Sequence, residues 1–129
     1  MKYANRHLLP LALVAVSVLA LPPAAVAQAA LPRSYVASPD IYKVLAQNDQ
    51  FQVIDVRWQP GQRDVMHSHP ASGVYYLTDC QLRLHAPDGT SRDVAPKAGM
   101  AITQPPIPAH VLENIGAADC RLVMFEPTR

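Results

Sequence analysis

From Phe51 onward, apolar residues recur at alternate positions in short runs that Pro or Gly cut, and this pattern commits the chain to strands. Phe51–Trp58 reads as a strand stopped by Pro60-Gly61, Val65–His69 as a second ended by Pro70, and Val74–Thr78 as a third. Leu82–His85 and Ser91–Val94 flank the turn Pro87-Asp88-Gly89, and Met100–Thr103 follows Gly99. Val111–Asn114 turns at Gly116, and Arg121–Glu126 is the last strand. Short strands at regular spacing predict an all-β sandwich or barrel. Ahead of them, Ser38-Pro39-Asp40 reads as a helix start, with Ser as N-cap and Pro at the first position. Ile41, Val44 and Leu45 then give one apolar face, so a helical turn or two is expected there.

Residues 1–27 read as a secretory signal peptide. Lys2, Arg6 and His7 form a positive start, Leu8–Leu21 is apolar apart from Pro10 and Ser17, and Ala25-Val26-Ala27 resembles a cleavage site. The apolar run falls short of the roughly 20 residues a membrane helix needs. With no Cys near the cleavage point, no lipid anchor is expected. The protein is therefore expected to be exported, periplasmic or secreted, with no membrane span after processing. Residues 28–38 read as a flexible lead-in and 39–129 as one domain. Eleven Lys+Arg are scattered against ten Asp+Glu, so no basic cluster favours a nucleic-acid partner.

The chemistry is concentrated in His67, His69 and His110. A His-x-His pair on a strand presents both rings on one face, because side chains alternate with period 2. His110, arriving from a distant strand, would complete a three-nitrogen metal socket. Three protein ligands with a free position are the pattern of a reactive rather than a structural metal. Imidazoles suit several first-row ions, and softness alone does not choose among them. The expected cofactor is one divalent transition metal: iron, copper, zinc or manganese.

These residues resemble the two motifs of the cupin superfamily. The first runs Gly, five residues, His-x-His, three or four residues, Glu, six residues, Gly; Gly61, His67 and His69 match it. The second runs Gly, five residues, Pro-x-Gly, two residues, His, three residues, Asn; Gly99, Pro105, His110 and Asn114 match it in register. The resemblance covers roughly Gln52 to Pro127 and implies a cupin-type jelly-roll barrel, or double-stranded β-helix, to which the residues ahead of it add the short N-terminal helical turn. Three positions depart from the pattern. Gly73 and Val74 stand where the ligand Glu belongs, Cys80 replaces the closing Gly, and Ile107 replaces the Gly of Pro-x-Gly. The last two are expected to alter turn shape only. The first leaves three neutral imidazoles and no protein carboxylate on the metal.

By resemblance, three-His cupins include iron-dependent thiol and diketone dioxygenases. The jelly roll also implies that Val74–Thr78 lies antiparallel to Arg121–Glu126, which brings Cys80 and Cys120 to one edge as a disulfide. An even cysteine count in an exported chain agrees with pairing.

Other residues read as ordinary. Arg83 and His85 share the strand face opposite Leu82 and Leu84, so His85 is expected at the surface, as is Glu113. Asp64 reads as loop. One of Tyr75 and Tyr76 must face inward. The expected function is an exported metal-binding cupin that acts on or binds a small molecule. An iron-dependent three-His dioxygenase, a copper or zinc carrier and a metal-free ligand-binding barrel are the alternatives. Whether the chain is an enzyme, which would make it a metal-dependent oxidoreductase, stays open on these residues. So does self-association as a homodimer.

Overall fold

Alternation along Phe51–Trp58 buries Gln52, Ile54, Val56 and Trp58 and turns the residues between them outward. The structure, a computed structural model, describes residues 30–129, so the expected signal peptide over residues 1–27 lies outside it. A short helix, α1 (Ser34–Ala37), precedes nine strands. They are β1 (Tyr42–Gln47), β2 (Phe51–Trp58), β3 (His67–His69), β4 (Ser72–Tyr76), β5 (Leu82–His85), β6 (Ser91–Val94), β7 (Ala101–Gln104), β8 (Ile107–Asn114) and β9 (Cys120–Pro127). A five-stranded sheet runs β1-β2-β9-β4-β7 and a four-stranded sheet runs β3-β8-β5-β6, with antiparallel pairing throughout. This is the expected all-β jelly roll. None of the described helices is long and apolar enough to cross a membrane.

The core lies between the sheets. Ile54, Val56 and Trp58 of β2 meet Val74 and Tyr76 of β4, Leu82 of β5, and Leu122 and Met124 of β9. Each fully buried aliphatic side chain contributes about 1.5–3 kcal/mol. Trp58 packs edge-to-face on Tyr42 with ring centroids 5.5 Å apart. Tyr76 is the inward tyrosine and Tyr75 the outward one.

Of the helix expected from Ser38 a single turn forms, in which the Ile41 and Tyr42 N–H groups both donate to the Ser38 carbonyl at 3.0 Å. Ser38 also closes α1, and its hydroxyl accepts the Val65 N–H at 2.9 Å instead of capping the turn. The chain from Tyr42 pairs with β2 as an edge strand, with a register shift between Val44 and Ala46. Ile41 is buried, but Val44 and Leu45 are 38% and 63% exposed, so the helical apolar face has nothing to pack against. Pairing with β2 satisfies the backbone and overrides the local signal. Within residues 30–38, the described part of the expected lead-in, the chain touches the rest of the fold. Ser34 is fully buried, and the Ser68 hydroxyl donates to the Leu31 carbonyl at 3.0 Å.

The motif glycines and Asn114 set turns. Gly61 (φ 74°) and Gly99 (φ 83°) take the left-handed conformation that favours glycine. The Gly61 N–H donates to the Asn114 carbonyl at 2.8 Å. The buried Asn114 amide donates to the carbonyls of Trp58 and Ala118, and its oxygen accepts the Gly116 N–H. The end of one motif thus clamps the start of the other.

Candidate metal centre

β3 carries two imidazoles on one face, with Ser68 between them turned away, and antiparallel pairing places His110 of β8 opposite His67. All three histidines are buried, and their ligand nitrogens lie within 4.8 Å of one another. The Nε2 atoms of His67 and His69 are 2.8 Å apart, and those of His110 and His67 are 3.1 Å apart. Nitrogens at such separations are within reach of one ion about 2.0–2.1 Å from each.

Two rings are oriented from behind. His67 Nδ1 donates to the Val65 carbonyl at 2.7 Å, and His69 Nδ1 donates to Glu126 Oε1 at 2.5 Å. These bonds place the ring protons on Nδ1, as inferred from the acceptors, and leave both Nε2 lone pairs facing inward. Lone pairs 2.8 Å apart repel each other, and a cation between them removes that cost. The donor set therefore fits a metal, with the outer hydrogen bonds that ligand histidines ordinarily make.

Burial holds the imidazoles in the neutral form that ligation needs. Desolvation pushes His67 down to about 4, against the Val65 hydrogen bond, and pushes His110 down to about 3, helped by the neighbouring His67. Beside them lies a second buried group. Asp64 accepts Tyr42 Oη at 2.7 Å, Trp58 Nε1 at 3.3 Å and the Leu112 N–H at 2.7 Å. Burial nonetheless raises its carboxyl to about 6, those hydrogen bonds opposing the shift. The Tyr42 hydroxyl, 3.4 Å from His67 Nε2, is held well above its ordinary value by burial and then by Asp64.

The sequence reading passed over Tyr42 and Glu126, and it placed Asp64 in a loop, where it lies, without its burial. Glu126 was legible in principle, since it follows Leu122 and Met124 in the inward phase of β9. Its register partner, Gln52, is also inward and reaches Glu126 Oε2 at 3.4 Å, and Arg33 approaches the same oxygen at 3.5 Å. Asp64 had no such signal, because a loop acid becomes buried only through tertiary contact. None of these carboxylates joins the cluster: Glu126 sits behind His69, and Asp64 Oδ1 lies 3.8 Å from the Nδ1 side of His67. His85 and Glu113 stand apart from the cluster and bond to each other at 2.9 Å.

His69 and His110 form part of the wall of a cavity of about 470 Å³, which is otherwise mainly apolar, with Val74, Leu84, Ile102, Leu122 and Met124 among its lining residues. Two of the motif departures do more than shape turns. Ile107 lines this cavity, and Cys80 forms a disulfide with Cys120 across a Cα–Cα distance of 4.9 Å.

No family model and no curated protein matches the sequence. Solved structures do match. A cupin domain from Bordetella pertussis is 26% identical over 69% of this chain and 93% of that one, with a TM-score of 0.63. A double-stranded β-helix protein from Klebsiella pneumoniae is 21% identical over 67% of this chain and 75% of its own, with a TM-score of 0.54. The polyketide cyclase RemF from Streptomyces resistomycificus is 22% identical over 68% of this chain and 64% of its own, with a TM-score of 0.52. Shared strand architecture and the 26% identity to the Bordetella domain agree with the two motifs read in register, and the chain belongs to the cupin superfamily.

Proposed function

We propose that this protein is an exported cupin that holds one divalent transition metal on His67, His69 and His110 and acts on, or holds, a small molecule in the adjoining cavity. The observation that carries the reading is the convergence of three buried Nε2 atoms at the wall of an apolar cavity, with two rings oriented by acceptors behind them. A metal there would supply a Lewis acid with open positions, able to polarise a substrate atom or acidify bound water. The chain's own residues do the rest. Glu126 and the Val65 carbonyl fix the ring orientations, and the apolar wall limits water. The Tyr42 hydroxyl, backed by Asp64, stands beside the cluster as a hydrogen-bonding group. The leader-like sequence and the disulfide support an oxidising, exported setting.

An iron-dependent three-His dioxygenase is the second reading, favoured by a cluster that has no carboxylate among the described residues and adjoins a cavity of substrate size. A bare copper or zinc carrier has no need of such a cavity.

The test is elemental analysis of protein recovered from its native compartment, with the His110→Ala variant alongside. About one metal per chain is expected in the parent and none above trace in the variant. Iron favours the oxygenase, and copper favours a carrier or oxidase. A variant lacking all three histidines that keeps the parent's metal content would refute the site.

A further inference from the structure

Among the described residues that line the cavity, Arg92 of β6 is the one Lys or Arg, and none is a carboxylate. Arg92 lies opposite Leu84, as Val94 lies opposite Leu82, and all four residues line the cavity. It therefore occupies the inward phase of its strand, where alternation calls for an apolar side chain. The neighbouring outward position, Asp93, is paired with Arg83. Arg92 makes no ion pair or side-chain hydrogen bond among the described residues. It is exposed on an edge strand, so its stem can lie along the apolar wall while its guanidinium stands at the mouth.

We infer that the cavity takes a small apolar monocarboxylate, whose carboxylate pairs with Arg92 at the mouth and whose apolar body lies between Leu84, Ile102 and Leu122. This deepens the small-molecule reading above and rests on it. One guanidinium fork matches one carboxylate through two parallel hydrogen bonds. A phosphate or dicarboxylate would call for more cationic or N–H donors than this wall supplies. At about 470 Å³, the space is roughly three times the ~150 Å³ cavity that takes a benzene, so a two-ring or eight-carbon body is accommodated.

The experiment is calorimetric titration of the purified protein with 1-naphthoate and with octanoate, and with the uncharged 1-naphthalenemethanol for comparison. Each titration is run with chelator present and with added Zn²⁺. Arg92→Gln is expected to weaken both carboxylates roughly 10- to 100-fold, the range for a lost charge-assisted hydrogen bond, and to leave the alcohol within about twofold. Ile102→Trp, which fills the wall, is expected to weaken all three probes. Failure of both carboxylates to bind the parent would overturn the inference, as would equal binding by parent and Arg92→Gln. The chelated titration separates the two readings. An Arg92-dependent carboxylate in a protein that takes up no Zn²⁺ sinks the metal proposal alone. Stoichiometric Zn²⁺ with no Arg92 dependence sinks this one alone.

Discussion

Val74 stands where the cupin pattern places a carboxylate, and the pleat turns it into the cavity wall, whereas Gly73 faces open space on the other side of β4. The sequence left both positions open for the missing acid; the backbone chooses Val74. Val74→Glu is therefore expected to raise affinity for hard cations such as Mn²⁺, which prefer oxygen ligands, while Gly73→Glu leaves it near the parent's. Without metal, Val74→Glu should cost about 1–3 kcal/mol, because it trades a buried aliphatic for an unpaired buried acid. Calorimetric Mn²⁺ titration of both variants checks this. Tighter Mn²⁺ binding by Gly73→Glu alone would reverse the assignment.

Among the elements, β4 and β9 carry the most inference. They pair antiparallel, Gly73 opposite Phe125 through Tyr76 opposite Leu122, so the end of one meets the start of the other. Cys80 follows β4 and Cys120 opens β9, which makes their disulfide a consequence of strand order. A closed loop of 40 residues stabilises by up to about 4 kcal/mol in the chain-entropy model. Adding reductant should lower the urea midpoint by an amount equivalent to about 2–4 kcal/mol; an unchanged midpoint would show that the cross-link constrains nothing. β1 is the instructive contrast. Its local spacing of Ile41, Val44 and Leu45 is helical, but β2 offers an unpaired edge, and sheet pairing won.

At the scale of the whole molecule, burial of the cluster couples folding to pH. Unfolded, His67 and His110 each take up a proton near pH 6.5, whereas folded they stay neutral down to about 4 and about 3. Their depressed values mean that the unfolded state binds more protons, and stability falls on acidification. Asp64 acts in the opposite sense. Its folded value of about 6 exceeds the unfolded one near 3.9, so between these it favours the folded state as pH drops. From about pH 6 to about pH 4 the two histidines outweigh the one acid by roughly one proton. These three groups should then cost about 1.4 kcal/mol of stability per pH unit lost, in chelator-treated protein. Urea unfolding at several pH values checks the slope; stability flat or rising from pH 6 to pH 4.5 would contradict it.

The sequence by itself determined the strand pattern, the pairing of two histidines on one face and the two motifs whose register marks a cupin. These are local or fixed-spacing properties: period 2 sets side-chain direction, and Gly61, Gly99 and Asn114 set turns wherever the chain is placed. Only the tertiary structure decided the surroundings of the cluster. Glu126 reaches His69 across 57 positions, Asp64 joins Leu112 across 48, and Arg92 lines the cavity opposite Leu84. A polar side chain reads as solvated until another strand covers it. Burial, which shifts the pKa values and shapes the cavity, belongs to the assembled sheets and to no single stretch of chain.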